Sequence, residues 1–165
     1  AELAAKIGPL KGEISSVSFD SLGRFLILGC TDRVELWDIA EKQRRATFDA
    51  SGERIALQSL SDGSLLIADN SGIRRIDPHN ANSTDMRFYG HKGPVYAIAL
   101  DPAEASIASA GADQTVRFWD LSDAEPRHVF EFRKNITAIS LNKAGTLAVG
   151  FSDGRGLLCE MGRGA

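Results

Sequence analysis

The sequence repeats one unit of about 40 residues four times. In each unit an apolar stretch ends in an apolar residue, and an acidic residue comes directly after it. The apolar residues at this position are Trp37, Ile76, Trp119 and Cys159. Successive positions lie 39, 43 and 40 residues apart. Because a regular period of this length indicates one structural unit repeated along the chain, we look for function on a surface that the units share.

Each unit contains short alternating stretches separated by turn residues. In the third unit these are PVYAIAL, SIASAG and TVRFWD, followed by the more polar RHVFEF. Turn signals recur about every ten residues, and no window sustains the 3.6-residue apolar period of a helix. The pattern predicts an all-β chain with four strands per unit. A four-stranded unit of this length is typical of a β-propeller blade.

The third unit resembles a WD repeat. It has Gly90-His91 near its start and Trp119-Asp120 at its end, which are the signature positions of that family. The resemblance implies a hydrogen-bonded brace formed by four residues: His91, Ser109, Asp113 and Trp119. Such a set is chemically consistent, because a buried indole N–H needs an acceptor and an imidazole can join a hydroxyl to a carboxylate.

The other units depart from this pattern. The first has Asp32 and Trp37 but no Gly-His, and the fourth has Asp153 with Cys159 in place of Trp. The second has Ile76 at the Trp position. We therefore expect partial braces at Asp32, Trp37 and Asp153, with apolar packing as the main support of these units.

The resemblance implies a single propeller unit over residues 1–165. Its segments are an outer strand of the closing blade (1–7), three blades (10–48, 52–88 and 90–132) and three strands of the closing blade (133–161). Propellers of this family typically close when an N-terminal strand completes the last blade, here in the same chain or in a partner chain. Because such propellers usually have seven or eight blades, three arrangements stay open: a four-bladed monomer, an eight-bladed homodimer, and a segment of a longer propeller.

Composition and motifs narrow the class of function. The net charge is -3, which disfavours nucleic acid as a partner. No apolar run approaches a membrane span and no signal peptide is evident, so the expected location is cytoplasmic. The three histidines lack metal-ligand spacing, and the GFSDG motif at 150–154 has no following helix or histidine. We predict no cofactor, metal site or catalytic residue.

The function that the resemblance implies is a non-catalytic scaffold for protein–protein interaction, with a protein or peptide bound on the top face of the propeller. The candidate residues on this face are Glu13, Arg54, Asp69, Tyr96, Asn135 and Ser152. Tyr96 is the expected anchor, because an aromatic ring with a polar tip is a frequent hot-spot type. A strand aromatic packed against the next blade is an equal alternative for Tyr96. The competing class is an enzyme or ligand-binding propeller with its site in the central channel.

Overall fold

A computed structural model describes residues 11–80 and 85–160, and within these ranges the chain contains fifteen β-strands and no helix. The all-β prediction is therefore confirmed. Sheet 1 contains β1 (Ile14–Phe19), β2 (Phe25–Cys30), β3 (Arg33–Asp38) and β4 (Gln43–Asp49). Sheet 2 contains β5 (Ala56–Ser59), β6 (Leu65–Asp69), β7 (Gly72–Ile76) and β8 (Met86–Phe88).

Sheets 3 and 4 follow the same plan. Sheet 3 contains β9 (Val95–Leu100), β10 (Ser106–Gly111), β11 (Thr115–Asp120) and β12 (Pro126–Glu131). Sheet 4 contains β13 (Ile136–Leu141), β14 (Thr146–Phe151) and β15 (Gly156–Glu160). In every sheet the strands are antiparallel and pair in chain order, so each sheet is a simple meander. The outer strand predicted at residues 1–7 lies outside the described residues.

Adjacent sheets pack face to face, and an apolar core fills each of the three interfaces. Strand β6 shows why, since all five of its residues are buried. Leu65 and Ile67 pack with sheet 1, whereas Leu66 and Ala68 pack with sheet 3. Alternate residues of a strand point to opposite faces, so this continuous apolar run supplies two cores.

Polar contacts also join neighbouring sheets. The Ser15 hydroxyl accepts a hydrogen bond from the backbone N–H of Ile55 at 3.1 Å, and the Ser59 hydroxyl donates to the carbonyl of Phe19 at 2.7 Å. These contacts link sheets 1 and 2 near both ends of their inner strands. They fix the register of one sheet against the next, which apolar packing alone specifies less sharply.

Over the described residues, the four sheets do not close into a ring. The inner strands contact in the order β1, β5, β9 and β13. The outward face of sheet 1 exposes Val17 (60%) and Phe19 (58%), and the outward face of sheet 4 exposes Leu158 (77%). Both ends of the array therefore present apolar side chains to solvent.

The described ranges contain no helix long and apolar enough to cross a membrane.

Candidate functional site

The four residues of the predicted brace lie within hydrogen-bond distance of one another. The Trp119 indole Nε1 donates to the Ser109 hydroxyl at 2.8 Å, and that hydroxyl lies 2.7 Å from His91 Nε2. His91 Nδ1 lies 3.0 Å from both carboxylate oxygens of Asp113. Trp119 and Ser109 are fully buried in the interface between sheets 2 and 3, so the brace joins this core to the turn that contains Asp113.

Proton positions along the brace follow from the chemistry of its ends. An ionised Asp113 only accepts hydrogen bonds, so His91 Nδ1 carries the proton and donates it. The unprotonated Nε2 then accepts from the Ser109 hydroxyl, whose oxygen in turn accepts from Trp119. Burial lowers the pKa of His91 and outweighs the charge of Asp113, which raises it, so the neutral ring that this arrangement needs is favoured.

Asp113 holds the charged end of the brace. Its carboxylate also accepts hydrogen bonds from the backbone N–H of Lys92 at 2.9 Å and from the Thr115 hydroxyl at 2.8 Å. Burial raises the pKa of Asp113, but these hydrogen bonds and His91 outweigh it and bring the pKa to about 2. The turn between β10 and β11 is therefore fixed by an ionised carboxylate at neutral pH.

The glycine of the Gly-His pair is explained by close packing. A Cβ atom on Gly90 would lie 3.1 Å from Cη2 of Trp119 and 2.8 Å from Nη1 of Arg117. A Cβ on Gly111, across the brace, would lie 3.0 Å from His91 Nδ1. The histidine and the indole thus occupy the space that side chains at these two positions would take.

Sheet 1 supports its tryptophan in a different way from the one we predicted. Asp32 is exposed, and its side chain pairs with Arg33, whereas the Trp37 indole donates to the carboxylate of Glu35 at 2.8 Å. Leu28 of sheet 1 corresponds to Ser109 of sheet 3, because each pairs with the residue two positions before the tryptophan of its sheet. Leu28 has no hydroxyl that could accept from the indole. The expected partial brace of Asp32 and Trp37 is therefore not brought together.

Glu35 is the centre of a buried ionic cluster in sheet 1. Its side chain is fully buried, with Arg33 Nε at 2.6 Å and Arg44 Nη1 at 3.3 Å. Burial raises the pKa of Glu35, but hydrogen bonds from Arg33 and Trp37 and the two guanidinium charges hold it below its usual range. Apolar packing is thus not the main support of this tryptophan. An acidic residue two positions before Trp, on the same strand face, was the sequence signal for the cluster.

Asp153 does not form a partial brace either. Its carboxylate pairs with Lys134 Nζ at 2.6 Å, and both side chains are 40% exposed. In sheet 2 the corresponding role falls to Asp69, which is buried and accepts hydrogen bonds from the backbone N–H groups of Ser51 and Ser71 at 3.1 and 2.7 Å. Asp69 therefore fixes a turn and is not a top-face residue.

A cavity of about 680 Å³ opens where the four sheets meet, and we call it the mouth. It is lined from all four sheets by residues just before or at the start of the inner strands, and by residues at or just after the end of the second strands. These include Thr31, Arg54, Asn70, Tyr96, Ala112, Asn135 and Ser152. Among the predicted top-face residues, Arg54, Tyr96, Asn135 and Ser152 thus meet here. Glu13 is exposed but is not part of the lining.

Asn70, and not the predicted Asp69, is the residue of sheet 2 that lines the mouth after the second strand. Thr31, Ala112 and Ser152 each directly follow the second strand of their sheet, and the residue that directly follows β6 is Asn70. Asp69 is the last residue of β6 and is buried, like Cys30 at the end of β2. The boundary of a strand, which the sequence does not specify to one residue, decided this position.

Arg54 and Tyr96 are in contact inside the mouth. The Arg54 guanidinium carbon lies 5.3 Å from the centroid of the Tyr96 ring, a cation–π geometry. Arg54 also donates a long hydrogen bond of 3.5 Å to the carbonyl of Thr137 in sheet 4. One side chain from sheet 2 thus reaches sheets 3 and 4. The brace fixes the adjacent wall, because Asp113 directly follows Ala112 of the lining.

Comparison with known proteins agrees with this geometry. Residues 82–120 match the family described as "WD domain, G-beta repeat". The match includes all four residues of the brace, so the third unit is similar to a WD repeat. A solved structure extends the likeness in fold to the other sheets: the chain superposes on the WD40 β-propeller domain of Doa1 with a TM-score of 0.78 at 21% identity, covering 93% of this chain and 52% of that one. The propeller fold is therefore confirmed.

Curated relatives include proteins of several functions. The chain is 25% identical over 108 residues to eukaryotic translation initiation factor 3 subunit I of Phaeosphaeria nodorum, covering 64% of this chain and 32% of that protein. It is 29% identical over 117 residues to the Set1 complex component swd2 of Schizosaccharomyces pombe, covering 67% and 32%. Protein tipD of Dictyostelium discoideum is 28% identical over 146 residues, covering 86% and 24%. The chain spans a third or less of the length of these relatives.

We predict that Asp113→Asn lowers the free energy of unfolding by about 1–3 kcal/mol, because it removes an ionised acceptor from a partly buried network. In the folded wild type the pKa of the Asp113 carboxyl is about 2, below its ordinary value of 3.8. The stability that Asp113 contributes is therefore complete above about pH 4 and is lost as the pH falls toward 2. Urea unfolding between pH 7 and 2 should show the gap between wild type and variant closing in that window. Asp123→Asn, at a half-exposed side chain, is the control.

We predict that Glu35→Ala lowers the free energy of unfolding by about 1–3 kcal/mol, because it leaves the Trp37 indole N–H and the Arg33 Nε–H without their acceptor. Asp32→Ala should change stability by no more than about 0.5 kcal/mol, since its side chain is 72% exposed. Urea denaturation of both variants measures the difference. Equal stability of the two variants would show that the Glu35 cluster does not support sheet 1.

Proposed function

We propose that this chain is a non-catalytic scaffold that holds a protein or peptide segment at the mouth. The observation that carries the proposal is a cavity of about 680 Å³ with lining residues from all four sheets. This volume lies within the range of specific binding pockets. Because its walls are the ends of packed strands, a bound segment meets a rigid surface and loses little affinity to rearrangement of the protein.

Arg54 and Tyr96 are the anchors that the proposal assigns. Tyr and Arg are among the residue types enriched in binding hot spots, and here they touch each other at the mouth. Tyr96 is half-buried, so its exposure is compatible with both interpretations made from the sequence, an anchor and a packing residue. The proposal takes Tyr96 as an anchor.

The character of the lining supports binding over catalysis. Its charged residues are Glu53 and Arg54, and the remainder are neutral or apolar. The histidine nearest in sequence to the lining, His91, is already engaged by Ser109 and Asp113. Two relatives are named as members of multi-protein assemblies, one as a subunit of a translation initiation factor and one as a component of the Set1 complex.

The cytoplasmic location expected from the sequence stays a prediction.

We predict that Ser152→Trp blocks the mouth without unfolding the chain, since Ser152 is an exposed turn residue with a side chain that lines the cavity. Proteins retained from a cell lysate by the wild-type chain should be lost with this variant. Ser21→Trp, at an exposed turn outside the mouth, is the matched control and should retain them. Retention of the same proteins by both variants would place the binding surface elsewhere.

We also propose that two chains associate as halves of an eight-bladed propeller. The support is the pair of exposed apolar faces at the two ends of the array, with Val17 and Phe19 on sheet 1 and Leu158 on sheet 4. The strand register places Trp37 on the same exposed face of sheet 1 as Val17. In sheet 3 the equivalent Trp119 lies on the face that packs against sheet 2, the preceding sheet. The exposed face of sheet 1 is therefore the face on which a preceding sheet would pack. Sheet 4 of a partner chain would occupy the corresponding place beside sheet 1.

Light scattering after size exclusion tests the association over a range of concentrations. We expect twice the mass of one chain, and a shift to the monomer mass in Leu158→Glu, because a charge in an apolar interface is strongly unfavourable. Leu22→Glu, at a 75% exposed turn residue, should remain a dimer. A wild-type monomer, or open-ended larger species, would contradict the dimer.

A further inference from the structure

Arg54 contacts neighbours from two other sheets at the mouth. Its guanidinium carbon lies 5.3 Å from the centroid of the Tyr96 ring, and the Thr137 carbonyl accepts one hydrogen bond from it at 3.5 Å. The attraction between a cation and the face of an aromatic ring favours this position of the guanidinium. Because Arg54 is exposed and lines the mouth, a ligand that enters the mouth can reach the guanidinium.

Most hydrogen-bond donors of Arg54 are available to a ligand. Over residues 11–80 and 85–160, arginines such as Arg33, Arg75 and Arg127 pair with carboxylates within 4.0 Å, but Arg54 has no such partner. A guanidinium has five N–H donors, and the contact with Thr137 uses one of them at long distance. An acceptor that enters the mouth meets the remaining donors without breaking an existing ion pair.

The surroundings of Arg54 also favour an acceptor. The Asn135 side-chain oxygen accepts a hydrogen bond from Gln114 at 3.3 Å, which directs the amide N–H groups of Asn135 to other partners. Small residues such as Pro94 and Ala112 form the neighbouring wall. Glu53, the acidic residue of the lining, makes no ion pair with Arg54 within 4.0 Å among the described contacts.

We propose that the mouth selects peptide segments with an Asp or Glu side chain, whose carboxylate binds the outward edge of Arg54. This inference rests on the proposed scaffold function and names the chemistry of its partner. A planar carboxylate matches the guanidinium fork and takes two parallel hydrogen bonds. A phosphate group is disfavoured, because its larger charge is usually met by a cluster of arginines and Arg54 is the one cation among the lining residues.

An array of 12-residue peptides of known and varied sequence, probed with the full chain, tests the inference. We expect the bound peptides to share an acidic residue. Replacing that residue by Asn or Gln, or Arg54 by Gln, should weaken binding by about tenfold or more, the range for a hydrogen bond to a charged group. Arg24→Gln is the matched control and should bind normally, since Arg24 lies 5.5 Å from the Phe25 ring outside the mouth.

The failure of this inference differs from the failure of the scaffold function. Peptides that Ser152→Trp blocks, but that lack a shared acidic residue or bind Arg54→Gln unchanged, would overturn the carboxylate proposal and leave the scaffold intact. A stronger response to phosphoserine than to Glu at the shared position would also overturn it. If no peptide binds in a way that Ser152→Trp blocks, both proposals are wrong. Equal thermal midpoints of wild type, Arg24→Gln and Arg54→Gln exclude unfolding as the cause.

Discussion

A sheet with two apolar faces has to be covered on both, and this constraint organises the whole structure. Strand β6 is buried along its entire length, with alternate residues in two different cores. No single unit can satisfy such a strand, so each sheet needs a neighbour on either side. The stacking of sheets, the mouth where their strand ends meet, and the exposed apolar faces at both ends of the array all follow from it.

Two tryptophans at equivalent positions show how one requirement is met by different chemistry. Trp119 donates its indole N–H to Ser109, whose hydroxyl donates to His91, and His91 in turn donates to Asp113. Trp37 donates directly to Glu35, and two arginines compensate the charge of Glu35. Trp119 is fully buried and Trp37 is half-buried, and an indole N–H removed from water without an acceptor costs free energy. The Gly-His and Trp-Asp signature therefore marks one way of providing an acceptor for the indole N–H. Sheet 1 lacks the Gly-His pair, but its tryptophan still has an acceptor, the carboxylate of Glu35.

The brace and the mouth are physically connected. Asp113 fixes the turn that follows β10, and the residue before it, Ala112, lines the mouth beside Tyr96. The same logic holds in sheet 2, where the buried Asp69 fixes the turn that carries Asn70 to the lining. In sheets 2 and 3, polar groups thus stabilise the turns behind the lining residues, which limits the rearrangement that binding of a partner would require.

The sequence by itself determined the all-β class and the period of the units, because these depend on alternation, turn residues and local spacing, and the resemblance of its third unit to a WD repeat indicated the four residues of the brace. It also indicated Arg54, Tyr96, Asn135 and Ser152 as residues of one surface. Only the tertiary structure revealed that Arg54 reaches across to Tyr96 and Thr137, that Asn70 replaces Asp69 in the lining, and that Glu35 supports Trp37. Those contacts depend on strand boundaries, side-chain direction and the approach of separate sheets, which are set by packing in three dimensions and not by the order of residues along one strand.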